Sequence, residues 1–209
     1  MSIIIKNTKN KIFYISPKEV KYCIYPSKYC DYTHLGLSKS RPHAGKNRGV
    51  FSENLDGYTK IDVSNWDYKP GVLFTKLFEY EALLNHFKGT QNWKSSVFAK
   101  RCVKFIKLNN TIRGFSDPEL FLNKREKQID KLFNSILKKG IKPNNIPREK
   151  NVFVDNISLA LTSKNKLFFN NRGHHRLSIA KILGLSKIPI KITVAKSEKI
   201  LEKFYIKYK

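Results

Sequence analysis

Apolar residues along this chain follow two alternating rhythms: short runs with period two, and longer stretches in which they recur every three or four positions. Residues 3–5 and 11–15 read as short strands, and residues 59–67 alternate like a strand ending in a turn. Over residues 73–87 the period changes, with Leu73, Phe74, Leu77, Phe78, Tyr80, Leu83, Leu84 and Phe87 at helical spacing and Gly89 as a stop. This stripe reads as core packing. A second helix is expected over residues 95–101, and residues 102–108 alternate like a strand. Ser116 and Asp117 offer an N-cap to a long helix ending at Gly140, with Leu120, Phe121, Ile129, Leu132, Phe133, Ile136 and Leu137 on its buried face. Lys138 and Lys139 suit the negative end of that helix dipole.

After a connection over residues 142–147 a hairpin is expected. Runs at 152–154 and 157–161 lead through Ser163, Lys164 and Asn165 into a run at 166–169. A glycine turn and a helix ending at Gly184 follow, then a strand over 188–194 and a basic helix over 197–208. There is no internal repeat. Strands and helices mixed in this order indicate an α/β (α+β) protein.

Composition changes the picture modestly. With 209 residues and 41% hydrophobic content the chain can bury a sizeable core. No apolar stretch approaches the length of a membrane span, and no signal peptide is recognisable at the start, so no membrane partner is expected. Cys23, Cys30 and Cys102 lack metal spacing and fit reduced thiols in a cytoplasmic protein. The net charge of +25 makes nucleic acid a candidate partner. Yet 33 of the cations are lysines and only 8 are arginines, and they spread along the whole chain, as an AT-rich coding bias also produces. The basic loop over residues 38–49 suits a polyanion or plain solvent, and its Gly45-Lys46 pair lacks the remaining parts of a P-loop.

The candidate chemistry lies in Asn170-Asn171-Arg172-Gly173-His174-His175-Arg176. A strand end, a glycine turn and a helix start bring backbone N–H groups, the positive end of a dipole and a guanidinium to one point, which suits a phosphate. Arg172, Gly173, His174, His175 and Arg176 are the expected phosphate-binding residues, with His174 and His175 as candidate catalytic acid or base. A purely structural role stands beside this: histidines bonded to nearby carbonyls, and Arg176 paired with Asp155 or Glu149. No metal site is expected, because adjacent histidines on a helix point apart and a third ligand is not apparent. Asp117, Glu126, Asp130, Glu149 and Asp155 are the nearby carboxylates. Glu126 and Asp130 share a helix face, as a metal pair or as ordinary surface groups.

Two segments, "REKQIDKLFNSILKKGIKPNNI" (residues 125–146) and "KLFFNNRGHHRLSIAKILGLSKIPIKI" (residues 166–192), resemble the ParB/sulfiredoxin superfamily, in particular its ParB-like nuclease-type domains. The resemblance covers about residues 100–196 and implies a small mixed sheet with packed helices, in which the turn cradles nucleotide phosphates and Arg176 supports them. His174 stands where sulfiredoxins carry their reactive cysteine and ParB partition proteins a glutamate; His175 matches the histidine of "GCHR" or the first arginine of "GERR". Sulfinic-acid reduction is therefore not expected. Nor is partition-complex assembly, since about a dozen residues follow the last strand. Superfamily kinases carry an acidic residue where this chain has Arg172, which favours anion binding over Mg²⁺ coordination.

The expected organisation is an irregular basic segment (1–72), a helical region (73–101), the ParB/sulfiredoxin-like domain (102–196) and a basic C-terminal helix (197–209). The expected function is binding of a nucleotide (ATP, ADP or CTP, with Mg²⁺ as a candidate companion) or another phosphorylated ligand, with phosphotransfer or hydrolysis as candidate chemistry. The alternatives are a nucleic-acid-binding or nuclease-like protein gripping a backbone phosphate, and a non-catalytic accessory protein with a degenerate site.

Overall fold

The computed structural model describes residues 2–5, 11–23, 59–63, 65–67, 72–108, 111–112, 114–143, 156–170 and 172–208. The expected basic loop at 38–49, Cys30, Glu149, the run at 152–154 and Asp155 lie outside them. The strands are β1 (Ser2–Ile5), β2 (Phe13–Ile15), β3 (Tyr22–Cys23), β4 (Thr59–Asp62), β5 (Val72–Leu73), β6 (Ile157–Leu161), β7 (Leu167–Phe169) and β8 (Ile188–Ala195). The α-helices are α1 (Phe78–Phe87), α2 (Val97–Lys107), α3 (Pro118–Lys139), α4 (His174–Ile182) and α5 (Glu198–Lys207). The protein is α/β, with one mixed sheet in the order β1-β4-β8-β6-β7-β3-β5 and β2 paired to β8.

The β-branched run of β8 makes it the strand around which the sheet is built. One edge pairs in parallel with β6; the other takes β2 antiparallel along its first half and β4 in parallel along its second. Leu159 faces Ile192 but Ala160 faces Val194, so Thr193 is one residue too many for its partner strand. The Thr193 hydroxyl donates to the Leu159 carbonyl (3.3 Å) and accepts from the Asn170 amide (2.7 Å), tying this bulge to the end of β7.

The bulge also puts Ile192 and Val194, two positions apart, on opposite faces of the sheet. Leu159, Ile190 and Ile192 join the main core with Leu177 and Ala180 of α4 and Leu201 and Phe204 of α5. Ala160 and Val194 join Phe168 in a smaller cluster covered by Tyr22 and Trp66. A third cluster is mainly helical: α1, α2 and α3 close around Trp93, which is buried with Leu83, Phe98, Cys102, Phe121 and Ile129.

Several expectations are corrected. Residues 102–108 are not a strand but the second half of α2. Phe98, Ala99, Cys102, Phe105 and Ile106 are buried at helical spacing, while Lys100, Lys104 and Lys107 are exposed or nearly so. Ser96 caps this helix by accepting from the Ala99 N–H (3.1 Å). The helix expected from Leu73 begins at Phe78, because Val72 and Leu73 pair with β3 and Phe74–Lys76 forms a single 3₁₀ turn. On α3 the buried residues are Phe121, Ile129 and Ile136, whereas Leu120 and Leu137 are exposed.

The described residues before 72 are more regular than the segment's composition suggests: β1, β2, β3 and β4 are strands of the common sheet. Asp67 ties this segment to the hairpin, accepting from the Ser163 N–H (2.7 Å) and pairing with Lys196 (3.2 Å). Burial acts to raise its carboxyl, but the bonds from Ser163 and Lys196 outweigh that effect and hold it below the usual carboxylate range. Among the described residues no helix is long and apolar enough to cross a membrane.

Lys181 of α4 supplies a pH-dependent term. Its ammonium donates to the Pro17 carbonyl (2.6 Å) and lies over the Phe74 ring. Burial lowers its pKa from 10.5 to about 8, with Cys23 opposing the drop. The unfolded chain therefore binds this proton more tightly than the folded one, and stability should rise as pH increases above about 8. Urea midpoints of wild type and Lys181→Met, compared between about pH 7 and pH 10, should show this rise in the wild type alone. An identical pH profile in both proteins would remove Lys181 as its source.

Candidate functional site at the start of helix α4

The turn expected to bind phosphate is braced by backbone bonds to β6. Asn170 N–H donates to the Ser158 carbonyl (2.8 Å), and Ser158 N–H donates to the Arg172 carbonyl (3.1 Å). Gly173 follows with φ 77° and ψ 23°, the left-handed region. A Cβ there would lie 2.7 Å from the Ile157 Cα and 3.0 Å from its nitrogen. Glycine is thus required twice, by its dihedral angle and by the close approach of β6. The Gly173 carbonyl accepts the first helical bond, from Leu177 N–H (2.9 Å), and no side chain caps the helix.

The two histidines that open α4 are buried. The His174 ring stacks on Phe74 (centroids 4.9 Å apart) and meets Phe169 edge-on (5.5 Å). Its Nδ1 lies 3.3 Å from Glu79 Oε2, and the Ser178 hydroxyl lies 3.4 Å away. His175 Nε2 lies 2.8 Å from Glu79 Oε1. Arg125, reaching in from α3, brings Nη2 to 2.8 Å from Nε2 of the same ring and 3.2 Å from its Nδ1.

Glu79 is the residue that organises this cluster. It sits in the first turn of α1, where the positive end of the dipole favours a carboxylate, and it is only 4% exposed. A carboxylate so deeply buried is tolerable only with charged or hydrogen-bonding partners, and both imidazoles supply them. The expectation that the adjacent rings point apart is therefore not met: they converge on the two oxygens of one carboxylate. They can do so because His174 presents Nδ1, close to the backbone, whereas His175 presents the farther Nε2.

The structure thus joins Gly173, His174 and His175 to Glu79 and Arg125, with Arg172 and Arg176 half-buried at the same turn. The carboxylates singled out from the sequence are engaged elsewhere or not described. Asp117 caps α3 by accepting from Leu120 N–H (2.6 Å), Glu126 pairs with Lys94 (3.0 Å), and Asp130 pairs with His86 (2.8 Å). Glu126 and Asp130 do not converge as one metal pair, because each is engaged by its own partner, Lys94 and His86. Glu79 and Arg125 were not expected, although each left a trace in the pattern. Glu79 falls in register with Ala82 and Leu83 on the buried face of α1, and Arg125 lies one turn from both Phe121 and Ile129. A charge set in an apolar stripe marks a buried partner.

Gly173→Ala should destabilise the fold by roughly 1–3 kcal/mol through strain at positive φ and the clash with Ile157, seen as a lower urea midpoint. Gly184→Ala has a similar φ but nothing within 4 Å of its Cβ position, and should cost less. Equal losses would show that the approach of β6 does not matter.

Comparison with protein-family models, with curated proteins and with solved structures finds no match to this chain.

Proposed function

We propose that the chain binds a nucleotide or another phosphorylated ligand at the turn formed by Arg172, Gly173, His174, His175 and Arg176. One observation carries this reading. A left-handed glycine pressed against β6 opens α4 without a side-chain cap, so the positive end of the helix meets two flanking arginines. The resemblance of the turn to the ParB/sulfiredoxin superfamily supports the same ligand class, with ATP, ADP and CTP as candidates. Arg125 adds a third guanidinium near His175.

Phosphotransfer or hydrolysis further requires a group that moves a proton. The imidazoles of His174 and His175, oriented by the Glu79 carboxylate, are the catalytic candidates in this reading. A Mg²⁺ companion fits less well. It prefers oxygen ligands, while the described side chains at the turn offer one carboxylate and two imidazoles, so no step is routed through it. The buried cysteines Cys23 and Cys102 accord with a cytoplasmic setting. The net charge of +25 favours, as a second reading, a nucleic-acid backbone as the source of the phosphate.

The test is thermal stabilisation of wild type and Arg176→Ala by ATP, ADP, CTP, GTP and a short DNA duplex, with and without Mg²⁺. Saturating nucleotide should stabilise the wild type by about 2–3 kcal/mol at a hundredfold excess over Kd, and the mutant much less. Stabilisation by DNA alone, steeply weakened by salt and unchanged in Arg176→Ala, would replace the nucleotide reading with the polynucleotide one. No response to any phosphate ligand would leave the accessory role with a degenerate site.

A further inference from the structure

Glu79, His174 and His175 each offer one ligand atom, and these atoms lie within 4.8 Å of one another. We propose that the three residues form a binding site for a divalent transition-metal ion of the Zn²⁺ type. This inference does not depend on the phosphate reading. It rests on the donor set, on the convergence of the three side chains and on the competition at one ring nitrogen.

Two imidazole nitrogens and one carboxylate oxygen are a mixed N/O set, which suits Zn²⁺ or Fe²⁺ and not the all-oxygen preference of Mg²⁺ or Ca²⁺. The carboxylate oxygens stand 3.3 Å from His174 Nδ1 and 2.8 Å from His175 Nε2. In a tetrahedral site with bonds of about 2.1 Å, neighbouring ligand atoms are roughly 3.4 Å apart. To admit an ion the His175 pair would open by about 0.6 Å, and donors up to 4.8 Å apart would draw together, which side-chain rotation supplies. The His174 ring is held for this by Phe74 on its face and Phe169 at its edge. Glu79 arrives from a different helix, so the ligands are not one local turn.

The competition lies at His175 Nε2. It stands 2.8 Å from a carboxylate oxygen, which accepts, and 2.8 Å from the Arg125 Nη2, which donates. One ring nitrogen carries either a proton or a lone pair, so it can serve only one of these neighbours at a time. Without an ion, Nε2 can donate to the carboxylate while Nδ1, 3.2 Å from the same Nη2, accepts from Arg125; an ion would instead take lone pairs from Nε2 and the carboxylate. Arg125 is the competitor: its guanidinium supplies positive charge at the nitrogen that an ion would use, and like charges there repel. Three protein ligands leave a further coordination position for water or for a ligand oxygen.

The experiment uses the untagged full chain, stripped with a chelator and titrated at neutral pH with Zn²⁺ and with Co²⁺. One saturable equivalent is expected, with a raised Tm and, for Co²⁺, visible absorption of a low-symmetry four- or five-coordinate site. Glu79→Gln and His174→Asn should each weaken binding by at least about tenfold. Arg125→Gln should instead tighten it, by about tenfold, because it removes the competing charge. That gain keeps the proposal testable even if a ligand variant fails to fold. Absence of saturable binding by the wild type overturns the site. So does binding that survives unchanged in Glu79→Gln and His174→Asn, which would place the ion elsewhere. An Arg125→Gln variant binding no tighter than wild type overturns the competition on which the inference draws.

Discussion

Removing the Glu79 carboxylate from water is the constraint to which the surrounding helices answer. An uncompensated carboxylate in such surroundings would destabilise the fold by several kcal/mol, so the chain must bring partners to it. Three elements meet there. Glu79 enters from α1, His174 and His175 from the first turn of α4, and Arg125, against His175, from α3. The cluster joins the helical core around Trp93 to the sheet-facing core that includes Leu177. The same contacts orient both imidazoles, so stability and candidate chemistry share one set of atoms.

The sheet supplies the other half of the site. β6 passes so close to Gly173 that no side chain fits between them, and the bulge at Thr193 anchors Asn170 just before the turn. Strands from both ends of the chain are needed for this arrangement, since β2 and β4 flank β8 on the side opposite β6. A site near the C-terminal end of the chain therefore depends on pairing with residues more than a hundred positions earlier.

Positive charge acts at two ranges. The overall excess of lysine gives the surface a diffuse attraction for polyanions. At the turn, Arg172 and Arg176 stand half-buried in sequence beside the two histidines, and Arg125 reaches the His175 ring that also meets the buried Glu79 carboxylate. A phosphate and a metal ion make opposite demands on such a cluster. Arg125 is the group through which those demands compete, because it shares a ring nitrogen with the carboxylate.

Local signals written in the sequence were sufficient where neighbours within one turn decide the structure. Asp117 and Gly140 bound α3, Ser197 caps α5, the β6–β7 hairpin turns through Ser163–Asn165, and Gly173 opens α4. Short-range hydrogen bonds and the freedom of glycine at positive φ determine each of these. The same signals failed where partners are distant. Residues 102–108 fit a strand or a helix equally well in isolation, and the helical core around Trp93 decided for helix. Val72 and Leu73 left the helical stripe only because β3 offered backbone bonds. Above all, the sequence by itself determined that two histidines and an arginine would stand at a helix start. Only the tertiary structure decided that Glu79, 95 positions before His174, would be buried against them, because the desolvation of a carboxylate is settled by whichever elements pack around it.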